Sequence, residues 1–173
     1  KERLLSHGAI LESETDSEIV GHLLAQRLKK SGNLKQAVLD VLPELRGAYS
    51  VLAVSEDAPD EIVAFKYGPP LIVGFADNEF VVASDLQAIL GQTRNVLHVE
   101  DGQVVHIHGQ ECDLFNEHGE KLSFAPHEVD WRAEQAERQG YPHFMLKEIF
   151  EQPRAVAAAI SPHISLSEHT IQL

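Results

Sequence analysis

Ser13-Glu14-Thr15-Asp16-Ser17-Glu18-Ile19-Val20 is the stretch from which the rest of the chain can be read. Thr15-x-x-Glu18 has the form of a capping box. The Thr15 hydroxyl accepts from the backbone N–H of Glu18, and the Glu18 carboxylate reaches back to the N–H of Thr15. A helix then begins at Asp16 and runs to about Lys30, with Ile19, Val20, Leu23, Leu24 and Leu28 on one face. Lys29 and Lys30 suit its C-terminal dipole, and Gly32 is placed to cap it. Asp16 falls on the first helical position, where the dipole favours a carboxylate that can turn outward toward a cationic group. Asn33, with Gln36 three residues on, opens a second helix whose apolar face is Ala37, Val38, Val41, Leu42 and Leu45. Pro43 ends or kinks it.

The period then changes. Ala48 to Val54 is apolar on both faces apart from Ser50, which predicts a strand in the middle of a sheet. Glu56 to Asp60 is a turn, followed by strands at Glu61–Lys66, Leu71–Phe75 and Glu79–Ala83. Ser84-x-x-Gln87 is a second capping box, opening a short helix through Leu90. Further strands fall at Asn95–Val99, Gln103–His108 and Glu111–Phe115. Residues 121–140 are polar and irregular and read as a linker. A last helix runs from about Phe144 to Ala159, bent at Pro153. Two helices followed by about seven strands make an α+β layout, with helices stacked on an antiparallel sheet.

The 173 residues suffice for one domain with a core, or one domain and a piece of the next. A formal charge of −13, from 27 acidic and 14 basic side chains, argues against nucleic-acid and anionic-membrane partners. No apolar run approaches a membrane span. The single cysteine, Cys112, permits no internal disulfide and suits a reducing, cytoplasmic setting. Lys1 stands where Met would, and no stable element ends at Leu173, so the chain is expected to be an internal piece of a longer protein.

Among residues that carry chemistry, His106 and His108 share one face of a strand. They lack a third ligand at metal-site spacing, so no metal is expected. Cys112 follows a turn with no His or Asn beside it, and reads as a small packed residue rather than a nucleophile. Gly68-Pro69-Pro70 and Glu100-Asp101-Gly102 are turn chemistry.

Ser13 to Leu23 resembles the helix start of class II glutamine amidotransferases, N-terminal-nucleophile hydrolases that release ammonia from glutamine. Tyr141-Pro142-His143-Phe144-Met145-Leu146-Lys147-Glu148-Ile149-Phe150-Glu151-Gln152-Pro153 resembles the interdomain segment of the glutamine–fructose-6-phosphate aminotransferase (isomerizing) family. Leu45-Arg46-Gly47-Ala48-Tyr49, Pro70 to Gly74, Phe80 to Asp85 and Glu100-Asp101-Gly102 resemble the same family, in the same order. Tyr67-Gly68-Pro69-Pro70 departs from the more usual Gly-Ser-Pro.

The resemblance implies the second half of a four-layer αββα glutaminase domain over residues 1–120. It implies an interdomain linker over 121–143 and the start of a sugar isomerase region over 144–173. Asp16 matches the family residue that holds the α-ammonium of L-glutamine. Lys147, Glu148, Gln152 and Pro153 fall on the interdomain hinge. The nucleophilic cysteine, with its own α-amino group as base, would lie before Lys1, and the D-fructose 6-phosphate site after Leu173. The expected activity is synthesis of D-glucosamine 6-phosphate, without a cofactor, by a homodimeric complete enzyme, the fragment alone being inactive. A glutamine phosphoribosylpyrophosphate amidotransferase, or a non-catalytic module on the same sheet, is the alternative. The segment from His143 to Pro153 favours the first.

Overall fold

A computed structural model describes residues 2–6, 8–129, 140–165 and 170–171. The chain divides into two units, Lys1–Asp130 and Trp131–Leu173.

The first unit opens with a short helix α1 (Glu2–Ser6), then α2 (Ser17–Ser31) and α3 (Leu34–Val41). Gly32 closes α2 at φ 63°, donating its N–H to the Leu28 carbonyl, a left-handed turn that costs glycine nothing. One residue on, the Asn33 side chain accepts from the Gln36 N–H at 2.8 Å and starts α3, as its sequence predicts. Pro43 turns the end of α3 into a single 3-10 turn, Leu42–Glu44.

Among the described residues of this unit, nine strands form two antiparallel sheets. Their ranges are β1 (Tyr49–Ser55), β2 (Ala58–Tyr67), β3 (Ile72–Phe75), β4 (Phe80–Ala83) and β5 (Asn95–His98), then β6 (Val104–His108), β7 (Glu111–Phe115), β8 (Lys121–Leu122) and β9 (His127–Glu128). One sheet has the order β1-β2-β6-β7-β8 and the other β4-β3-β5-β9. Alternation sends the side chains of the first sheet to two different cores. Val63, Phe65, Val104 and Phe115 pack with Leu23, Leu24, Val38 and Val41 of the helices. Ala64, Val105, Ile107 and Leu114 pack with Leu71, Val73 and Val99, which belong to or flank the second sheet. The second sheet's other face carries Ile72 and Val96 under Ile89, next to the 3-10 turn Leu86–Ala88. Ile89 fits because residue 74 is glycine: a Cβ there would lie 2.5 Å from Ile89 Cγ2 and 2.9 Å from Thr93 Cγ2. The α+β layout with antiparallel sheets matches the sequence reading.

Four local expectations are corrected. First, β1 is not central. Among the described residues it pairs only with β2, so it is an edge, with Leu52 47 % and Val54 69 % exposed. Its apolar two-sidedness creates surface that needs cover; it does not show that cover exists. Second, the β1–β2 turn is tighter than Glu56 to Asp60, since Ser55 already pairs with Ala58 and Pro59 lies within β2. Third, Asp85, not Ser84, caps the turn that follows, accepting from the Gln87 N–H at 2.7 Å. Fourth, the supposedly irregular stretch after residue 120 holds two short strands. β8 pairs with β7 and β9 pairs with β5.

In the second unit, α4 (Phe144–Ile160) runs through Pro153 and is followed by a two-stranded ladder, β10 (Ile164–Ser165) with β11 (Thr170–Ile171). Ala133 to Gln139 of the expected linker lie outside the described residues.

Candidate functional site

The start of α2 is built differently from a capping box. Ser17 is the first helical residue and Asp16 the cap position, with helical backbone and no capping hydrogen bond from its side chain. Glu18 reaches past Thr15. Its carboxylate accepts from the N–H of Glu12 at 2.7 Å, the N–H of Ser13 at 2.8 Å and the hydroxyl of Ser13 at 2.6 Å. The Ser13 hydroxyl also meets that of Thr15 at 2.8 Å. These bonds, the Ser13 hydroxyl foremost, hold the Glu18 carboxyl down at about 2. Glu18 therefore clasps the loop before the helix and leaves the exposed Asp16 carboxylate without a capping duty.

Asp16 lies on the wall of a cavity of about 560 Å³. Ser17, Ile19, Val20 and Leu23 of α2 form one side. Glu44, Leu45 and Arg46 form the end, and Ala48 to Val51 the other side. The second side includes β1, so the unpaired edge borders the site. A neighbouring hollow along the same strand, lined by Val51 to Asp57 and by Leu24 and Leu28, shares Ser17, Val20 and Val51 with it.

The charges on the cavity wall are arranged unequally. Arg46 is turned back onto the chain, its Nη1 donating to the Pro43 and Leu45 carbonyls at 2.7 Å each. Glu44 is ion-paired with Arg27. Tyr49 has its phenol pushed up, first by burial and then by Asp101, so it stays neutral. Asp16 thus supplies a carboxylate free of a capping bond beside apolar side chains, suited to a small cationic group. The partners of Arg46, Glu44 and Glu18 were not legible in the sequence. The one signal was the cluster of hydroxyls at Ser13, Thr15 and Ser17, which gives Glu18 more than one donor to choose from.

The other candidates fall elsewhere. Cys112 is half-buried between the sheets, and burial, aided by Asp113, pushes its thiol up to about 11, which keeps it protonated and poorly nucleophilic. Among the described residues no group of His, Cys, Asp and Glu could hold a metal ion. Asp101 is a structural tie: it accepts from the Gly68 N–H at 2.9 Å and from the buried Lys66 ammonium at 2.5 Å. Lys147, Glu148, Gln152 and Pro153 all lie on α4. Lys147 is buried and sits 3.7 Å from Glu151, while Glu148 and Gln152 are exposed. No helix of the described residues is long and apolar enough to cross a membrane.

No protein-family model matches the chain. Curated relatives do. A glutamine–fructose-6-phosphate aminotransferase [isomerizing] of Methanothermobacter thermautotrophicus is 42% identical over 156 residues, 90% of this chain and 26% of the relative. An enzyme of that name from Thermus thermophilus is 39% identical over 173 residues, 100% of this chain and 28% of the relative. That from Thermococcus kodakarensis is 38% identical over 161 residues, 92% and 27%. Among solved structures, the glutamine phosphoribosylpyrophosphate amidotransferase from B. subtilis, complexed with ADP and GMP, superposes with a TM-score of 0.56 at 27% identity. It covers 67% of this chain and 25% of that one. The chain is a homologue of the glutamine–fructose-6-phosphate aminotransferases and spans about a quarter of the length of the curated relatives it matches.

Proposed function

We propose that this chain is the later part of a glutaminase domain, together with the start of a sugar isomerase region. Its complete enzyme makes D-glucosamine 6-phosphate and glutamate from D-fructose 6-phosphate and L-glutamine. The observation that carries the reading is Asp16. In a chain so related to these aminotransferases, it stands on the wall of a cavity with its carboxylate released from capping. On this reading Asp16 binds the α-ammonium of glutamine and so selects the free amino acid over a peptide-bound one. The helix pair, sheet and second sheet are three layers of the four-layer αββα form. Residues 121–143 link the two regions, and Lys147, Glu148, Gln152 and Pro153 form a hinge that couples glutamine hydrolysis to amination of the sugar. The enzyme is cytoplasmic and homodimeric. The phosphoribosylpyrophosphate amidotransferase reading is weaker, since that likeness is 27% against 42% and covers 67% of the chain against 90%.

The test is Asp16→Asn in the complete enzyme. It keeps the size of the side chain and removes the charge, while Glu18 still clasps the loop. Loss of a charge-assisted contact of about 2–3 kcal/mol lowers kcat/KM for glutamine by roughly 30- to 150-fold with Tm unchanged. A kcat/KM within about threefold of wild type makes Asp16 a helix-start residue only.

A further inference from the structure

His106 and His108 are a titratable pair that the proposed glutaminase chemistry does not use. Cross-strand register sets His106 opposite Val63 of β2 and Asp113 of β7, and His108 opposite Glu61 and Glu111. The two rings lie 4.5 Å apart between centroids, on the face of the sheet that carries α3. Their surroundings differ. His106 is 9 % exposed, and its Nε2 is buried without a hydrogen-bond partner. The Glu61 carboxylate stands 3.7 Å from it, too far for a hydrogen bond. His108 is partly open to solvent, with Glu111 and Asp113 each 3.8 Å from its Nε2.

The remaining charges come from two neighbouring elements. Lys121 of β8 holds Asp113 at 2.7 Å. Lys35, in the first turn of α3, lies 4.2 Å over the Phe115 ring and adds positive charge near His106.

We propose that His106 and His108 act as a proton-counting pair: the fold accommodates one proton on the two rings, and entry of a second loosens the end of the β6–β7 ladder and the start of α3. A charge on His108 faces two carboxylates and solvent. A charge on His106 sits on a desolvated ring beside His108 and Lys35, with Glu61 the carboxylate nearest to its Nε2 to offset them. Strand separation or withdrawal of Lys35 relieves that repulsion. The direction of titration agrees. Burial, then His108 and Lys35, depress His106 below its ordinary 6.5, against an opposing pull from Glu61. Below about 6.5 the unfolded chain takes up a proton that the folded one refuses. The stability held above that pH therefore drains as the solution becomes more acid.

Histidine ring-proton NMR titration of the 173-residue chain tests the pair. His106 should titrate below its midpoint in urea, and His108→Gln should raise that midpoint by about half a unit or more. Amides of β6, β7 and the first turn of α3 should exchange faster in acid, and His108→Gln should blunt that rise. A His106 midpoint equal to that in urea, or one unmoved by His108→Gln, overturns the proposal. Should His108→Gln fail to fold, Glu61→Gln serves: it should lower the His106 midpoint further, and no movement there also overturns the coupling.

Discussion

β6 and β1 belong to one sheet and are similarly apolar, yet they meet opposite surroundings. β6 has a neighbour on each side, helices over one face and a second sheet over the other, and Val104, Val105 and Ile107 are buried. Among the described residues β1 has one neighbour. On its helix-facing side Ala53 is buried and Tyr49 and Val51 are partly covered, while Leu52 and Val54, which point as Ala64 does, stay exposed, at 47 % and 69 %. The difference teaches that apolar patterning fixes which residues need cover, and that topology alone decides which receive it.

The sharpest way to break the comparison is Phe65→Ala. Phe65 is fully buried under the helices, with Tyr49 edge-on at 6.0 Å. Its truncation should cost about 3–5 kcal/mol in urea unfolding. A loss below about 1 kcal/mol would mean the closed side is no better packed than the open one. Next comes Gly74→Ala in the second sheet, where the added Cβ would collide with Ile89. Overpacking there should cost about 1–3 kcal/mol, and unchanged stability would show that the outer turn moves freely. The smallest effect belongs to the open strand. Val54→Lys should change stability by no more than about 0.5 kcal/mol. The same charge should lower self-association in sedimentation, because edge charges oppose strand pairing. A large loss of stability would show that β1 is already covered.

Much of the fold was legible because its signals are local. Asn33 with Gln36 and Gly32 after Lys30 each fix a helix end within four residues, and β7 follows its apolar pattern to the residue. What failed depends on distance. Glu18 could satisfy several N–H groups within reach, and Thr15-x-x-Glu18 does not say that Glu12 and Ser13 will be the ones. Ser84 and Asp85 are both good caps, and the chain's path chose the second. The short β8 and β9 exist because β7 and β5 offer edges, which residues 121–128, broken by Pro126, do not reveal by themselves. At the candidate site, Asp16 was visible by its place at a helix start. The cavity wall from Glu44 to Val51 was not, since it is brought in by the turn after α3 and by β1.

The open side of β1 has a colloidal consequence. Every copy carries a net charge of −13, so two edges that would pair well must first approach through strong mutual repulsion. At about 0.1 M ionic strength that repulsion reaches only about 10 Å, and at about 1 M only about 3 Å. Added electrolyte therefore shortens the barrier without touching the hydrogen-bonding groups behind it. At a fixed protein concentration, raising the ionic strength should increase any self-association through this edge.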